Sequence, residues 1–280
     1  MAYKNFIPEI WAEAINRDLE RLHVFADGTN RQYEGEVSQK GDSIRILGVG
    51  KPTITSTTKD GFTKLGEAET VEDTSVTMKI DQMAYFNYKV DDIDKRQSVG
   101  GLMEALSAET SEGLADVQDR YIAGLAAAKE APKMWTAAKQ ITAENVLDLL
   151  LEAHQKLYEN DVKPNTKVEI IVSPAIATLY KKAMSIRDTD NSGLLKNGVI
   201  DKFDGMNIKV SNNVHTAKVG SNDVQHIMVR TERAIAFARP MVHTEAYRPE
   251  AGFSDAVKGF ILFDAKIVRP KELFCMNVYL

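Results

Sequence analysis

From residue 101 to residue 128 the chain keeps a single apolar period. Leu106, Thr110, Leu114, Val117, Tyr121 and Leu125 recur at spacings of three and four, which traces one stripe along an α-helix. Glu109, Glu112, Asp116 and Asp119 fall on another side and make it almost wholly acidic. Pro132, just beyond Lys129, marks the end, because proline cannot continue a helix. With a rise of about 1.5 Å per residue the helix is roughly 40 Å long. It lies between two stretches that read as strand, so the pattern predicts a spine joining two sheet-rich parts.

Before the spine the period is two. Ile44 and Ile46 alternate with polar residues. Val76, Met78, Ile80, Ala84, Phe86, Tyr88 and Val90 occupy even positions over what reads as one long strand. Between these, residues 51–74 are rich in Thr, Lys, Gly and Glu and too poor in apolar surface to order themselves well. Two strands around a polar tip predict an extended hairpin. Upstream, Trp11, Ile15, Leu19 and Leu22 follow Pro8 as a short amphipathic stripe, an arm too small to fold alone.

Beyond the spine the pattern becomes α/β. Val146, Leu147, Leu150, Ala153, His154 and Leu157 form a helical stripe with Thr142 as its expected N-cap. Residues 167–172 (KVEIIV) read as a buried strand, and Ser173-Pro174 then opens a helix. Residues 185–198 read as a polar surface loop. Met206, Ile208 and Val210 alternate as a strand, and another begins at Ile227. Ile235 and Phe237 return to strand. Val257, Gly259, Ile261, Phe263, Ala265 and Ile267 alternate over a long strand, with Phe260 and Leu262 adding apolar weight on its other face. Residues 273–280 read as a last strand or buried tail. The strands at 75–90 and 231–280 are expected to share one sheet packed on the spine.

Composition narrows the class. The 280 residues, 44% hydrophobic and 27% charged, suffice for a large core and argue against global disorder. A net charge of −5 opposes the Lys/Arg excess that phosphate contacts need. That argues against a reader of nucleic acid but not against a protein that encloses it. The single Cys275 allows neither an intrachain disulfide nor a multi-thiolate metal site. No apolar run approaches the ~20 residues that span a bilayer. The first turns are charged and lack a signal-peptide core, so synthesis and retention inside a cell are expected.

Candidate chemistry is sparse. His23, His154, His215, His226 and His243 each stand alone among apolar or strand residues, without metal-ligand spacing, and read as structural or surface histidines. Cys275 lies in the apolar run LFCMNVYL, where nothing would lower its pKa, and reads as a buried thiol. Asp188, Asp190, Ser192 and Gly193 begin like a calcium loop, but Val199 stands where the ligating glutamate is required. An Asx-rich turn is the preferred reading. Residues 48–53 (GVGKPT) lack phosphate-loop spacing, and Pro52 removes a backbone donor. No convergent set is left for an enzyme, and no metal or cofactor is expected.

The order of these parts carries a resemblance. An arm, an extended hairpin, a strand with an acidic end, a spine helix, an α/β region and a return to long strands is similar to the tailed-bacteriophage major capsid protein, the Hong Kong 97-type fold. The residues that carry it are 80–98 (IDQMAYFNYKVDDIDKRQS) before the spine, 198–214 (GVIDKFDGMNIKVSNNV) in the α/β region, and the run from 233 to 277.

The resemblance implies an α+β chain with five parts. These are an N-terminal arm (1–32), an extended hairpin loop with supporting strands (33–98), the spine helix of a peripheral domain (99–131), an axial domain (132–230) and the peripheral domain's return strands (231–280). It implies a coat subunit without catalytic activity. Such a subunit self-assembles into the hexamers and pentamers of an icosahedral head and encloses double-stranded DNA without reading its sequence. Assembly would take place in the host bacterial cytoplasm, and the product would be the virion shell. Because the arm is short, a separate scaffolding protein is an implied partner unless the chain is an already processed form, and a portal is another implied partner. A decoration protein is a candidate, and no membrane is involved. Lys59, Asp60, Glu67 and Glu69 at the hairpin tip, with Arg248 and Glu250 in the C-terminal loop, are candidate intersubunit contacts. Some members of the family join neighbours by a Lys–Asn isopeptide bond. Lys59 and Lys64 are available, but residues 247–256 (YRPEAGFSDA) contain no asparagine, so no crosslink is expected. An encapsulin-like nanocompartment shell, enclosing an enzyme, is the alternative. A soluble α/β enzyme is a third reading.

Overall fold

Two sheets lie against one long helix in the computed structural model, which describes residues 22–33, 43–49, 56, 73–91, 102–186, 202–249 and 254–280. The helix, α1, spans Leu102–Gly124 and runs into a 3-10 turn at Leu125–Ala127. Its buried face takes in part of the apolar stripe, with Leu114 buried and Tyr121 and Leu125 packed against the same core, and adds a row of mostly small residues. Leu114, Ala115, Ile122, Ala123 and Ala126 are buried, while Val117 is 45% exposed. The alanines let the helix approach the sheets closely, which a row of larger side chains would prevent. Tyr121 is half-buried and stacks edge-on against Phe263. The expected acidic face divides as well. Glu109 and Glu112 are exposed, but Asp119 is buried within the inner face.

Strands β1 (Ser43–Val49), β2 (Asp73–Lys79) and β3 (Gln82–Asp91) precede the helix. The single strand expected over 75–90 is therefore two. β2 pairs antiparallel with β1, from Ser43 opposite Lys79 to Val49 opposite Asp73. β3 joins a different sheet. The even-position period lapses only at Gln82 and resumes in the same register at Ala84, so alternation alone does not mark the join at Ile80 and Asp81.

After the helix come β4 (Lys139–Gln140), α2 (Val146–Glu159), β5 (Val168–Val172) and α3 (Pro174–Ile186). Next are β6 (Lys202–Phe203), β7 (Met206–Val210), β8 (Thr216–Val219) and β9 (Asn222–Thr231). The chain closes with β10 (Ile235–Tyr247), β11 (Ser254–Ile267) and β12 (Leu273–Tyr279).

β10, β11 and β3 form an antiparallel sheet in that order. One face packs on α1 through Ala84, Ile235, Phe237, Ile261, Phe263, Ala265 and Ile267. The β1–β2 ribbon covers the other, with Ile44, Ile46, Met78 and Ile80 against Ala236, Ala238 and Leu262. Cover on both sides explains why β11 is apolar at both parities. The β10–β11 register shifts between Ala238 and Met241, around Pro240, which cannot donate to the ladder.

The second sheet runs β4-β12-β9-β5-β7-β6, with β8 paired to β9. β5 is parallel to β7 and antiparallel to β9, so the sheet is mixed. α2 and α3 cover one face through Val146, Leu150, Ala153, Leu157, Ile176 and Tyr180. The other face meets the end of α1 through Ile171, Met228 and Cys275. β12 belongs to this sheet, not to the one shared by β3 and β11 as the sequence pattern suggests. It is buried on both faces: Cys275 points to the spine side, Met276 and Val278 to the helix side.

Local chemistry accounts for the element ends. Ser173 accepts from the amide of Ile176 at 3.4 Å with Pro174 in the first turn, as expected. α2 begins later than Thr142, because Asn145 is its N-cap, and its side chain accepts from the Thr142 amide at 2.8 Å. At the other end of α2, Asp161 has φ 64°, and the amides of Asp161 and Val162 donate to Tyr158 and Leu157 at 3.0 and 3.2 Å. That is a Schellman end with a non-glycine residue in the left-handed position. Asp204 and Gly205, with φ 49° and 80°, make the two-residue hairpin between β6 and β7.

Candidate functional site

The histidines do not converge. His154, buried on α2, pairs through Nδ1 with Asp204 at 2.7 Å. His226 Nδ1 meets Asn277 Oδ1 at 2.6 Å, and its ring lies 5.1 Å from that of His215. Burial, and then the neighbouring His226, hold His215 below the usual histidine range. His243 is exposed on β10 beside Phe260. Among the described residues no group of three or more His, Cys, Asp or Glu side chains could hold a metal ion. Cys275 is buried, and burial pushes its thiol up to about 12. Gly48 and Val49 lie in strand β1, and residues 50–53 of the same motif lie outside the described residues. The calcium-like residues 188–193 lie outside the described residues.

The densest polar arrangement lies where the N-terminal segment meets the body. Asp119, 2% exposed, accepts from the amides of Val24 at 2.8 Å and Ala26 at 3.1 Å. His23 Nδ1 stands 3.2 Å from the same carboxylate. Arg230, fully buried on β9, donates from Nη2 to the carbonyl of Phe25. Burial pulls its guanidinium down to about 10, against the attraction of Glu169, Asp119 and Asp27, so it stays charged at neutral pH. Glu169, 1% exposed on β5, is ion-paired at 3.2 Å with both Lys167 and Lys209. Lys209 also reaches Asp27 at 2.7 Å, a hydrogen bond that lowers the Asp27 pKa. Asn30 completes the attachment by backbone bonds to Ile235 and Phe237 at 2.9 and 3.0 Å.

Gly28 is the closest approach. A Cβ there would lie 1.7 Å from Glu169 Oε2. From sequence, His23 reads only as a structural or surface histidine and Asp119 only as part of an acidic helix face, and Asp27, Glu169, Lys209 and Arg230 are not picked out as site residues, yet two signals exist. Glu169 is a charge inside a run that reads as a buried strand, and such a charge requires partners. Asp119 lies on the helix row of Ala115, Ile122, Ala123 and Ala126.

A second buried carboxylate joins the spine to its sheet. Asp264 on β11 accepts from the Tyr121 hydroxyl at 3.0 Å and from the Ala265 amide at 2.6 Å. Burial raises the Asp264 pKa, and burial together with Asp264 raises that of Tyr121 well above its ordinary value.

Of the candidate contact residues, Arg248 is described and exposed, just beyond the end of β10. Lys59, Asp60, Glu67, Glu69 and Glu250 lie outside the described residues, as do Lys64 and the amphipathic stripe before Leu22. The largest exposed apolar side chains include Tyr85 on β3, 76% exposed, and Val219 at the end of β8, 59% exposed. No described helix is long and apolar enough to cross a membrane.

No family model and no curated protein matches the sequence. Solved structures match nearly all of it. A structure from Mycobacterium phage Che8 is 26% identical and covers 90% of this chain and 90% of its own, with a TM-score of 0.73. The capsid of cyanophage P-SCSP1u is 16% identical over 92% of this chain and 86% of its own, with a TM-score of 0.65. A virus-like particle from Pyrococcus furiosus is 13% identical over 96% of this chain and 98% of its own, with a TM-score of 0.60. The chain therefore has the capsid-shell fold, and the likeness to phage major capsid proteins read from the order of its parts holds across about nine-tenths of its length.

Proposed function

We propose that this chain is the major capsid protein of a tailed phage, a subunit without catalytic activity that assembles into the icosahedral head around double-stranded DNA. The observation that carries the reading is chain-wide: phage structures match about 90% of the chain. The α/β sheet with α2 and α3 serves as the axial domain, and the spine with the β10-β11-β3 sheet as the peripheral domain. A coat subunit makes several different contacts with copies of itself, which suits two sheets held on a single long helix. A net charge of −5 limits adhesion to the packaged genome. Hexamers and pentamers, a separate scaffolding protein and a portal, with assembly in the host cytoplasm, complete the reading.

An encapsulin-like shell is the second reading, favoured by the likeness to the Pyrococcus furiosus particle. Electron microscopy of chain purified from its native source, with analysis of the contents, separates the two. Icosahedral shells holding DNA support the head, and shells filled with one cargo protein support the compartment. A chain that stays monomeric at high concentration, even with a scaffold supplied, overturns both.

A further inference from the structure

Residues 22–30 form a strap that closes over ionised groups. Beneath it lie Arg230, Glu169 and Asp119, none more than 2% exposed. Phe25 and Ala26 supply its apolar anchorage. The rest is polar: two amides on Asp119, the Phe25 carbonyl on Arg230, and Asp27 on Lys209. A lid over hydrocarbon loses all its burial when lifted. A lid over three charges regains their hydration, which offsets part of the loss. The strap is thus held firmly in place while its opening costs less than its buried area alone would require.

We propose that the strap is a latch, opening as a unit while the body stays folded, and that shells form only from subunits in which residues 22–30 are seated. The second half rests on the shell reading; the first does not. Seating depends on Gly28. Its missing Cβ leaves room for the Glu169 carboxylate, which Lys167 and Lys209 hold in place and which cannot swing aside freely. Asp119 adds register. Its carboxylate accepts from the two amides and faces His23 at the same time.

The test is amide hydrogen exchange on the unassembled full chain, comparing wild type, Gly28→Ala and Asp27→Ala. Asp27 is more than half exposed on the strap itself, so its replacement cannot unfold the body. Exchange at Val24, Ala26 and Asn30 is expected to rise by about tenfold to a hundredfold in Gly28→Ala, and less in Asp27→Ala. Amides of β9 should keep the wild-type rate. Strap and β9 amides rising together, or strap amides unchanged in both variants, would overturn the latch. Particle yield is then measured. A fall in Gly28→Ala supports the coupling to assembly, and a wild-type yield from a strap shown to be open overturns it. If the wild-type chain itself makes no particles, the shell reading fails and exchange alone decides the latch.

Discussion

Asp264 shows how a single residue sets a direction of pH dependence. Its carboxylate is buried between α1 and β11, and burial raises its pKa despite the bonds from Tyr121 and from the Ala265 and Asp81 amides. The folded protein therefore holds this proton more tightly than the unfolded chain does. The stability it contributes is fully present below the ordinary aspartate value of about 4 and is lost as pH rises through the folded pKa. Asp264→Asn removes that titration. In urea unfolding from about pH 4 upward, the wild type should lose stability relative to the variant, and parallel profiles would refute the assignment. Cys275 gives a second expectation. With burial pushing its thiol up to about 12, it should resist a thiol reagent at pH 8 in the native chain and react at once in denaturant. Fast native labelling would mean that β12 opens locally. The buried thiol is legible in the sequence because its neighbours are apolar. Asp264 is not, since its partner is 143 residues away.

At the scale of the element, periodicity locates the spine but not its inward face. The stripe through Val117 and the row through Ala115 and Ile122 lie on overlapping arcs of one helix, and hydrophobicity favours the larger side chains. The structure buries Leu114 of the stripe together with Ala115, Ile122, Ala123 and Ala126 and leaves Val117 exposed, because two sheets close on the helix there. Paired substitutions test this. Ile122, fully buried, should lose about 2–5 kcal/mol on truncation to alanine. Val117→Ala should change the stability of the isolated subunit by no more than about 0.5 kcal/mol. Equal losses in a denaturant series would put Val117 in the core as well. The same limit explains the strand that proves to be two and the placement of β12. Alternation reports which face is buried, not which partner covers it.

The order of ribbon, spine, mixed sheet and return strands is legible in the sequence because the hydrophobic period changes between strand and helix. The contacts that build a shell are not, because surface charges carry no period and their partners lie on another copy. Arg248 is the candidate contact that the structure places, exposed at the end of β10 and next to Pro249. If it meets an acidic patch on a neighbour, reversing its sign puts like charges together and costs assembly without touching the core. Arg248→Glu should leave subunit unfolding within about 0.5 kcal/mol of wild type. Its particle yield, read by sedimentation, should fall sharply at low salt. Arg248→Lys should keep most of the yield. Raising ionic strength should narrow the gap between Arg248→Glu and wild type, because salt screens repulsion and attraction alike over about 8–10 Å. Equal yields at low salt would remove Arg248 from the interface. A gap unaffected by salt would mean that the side chain acts there by packing its aliphatic stem rather than by charge.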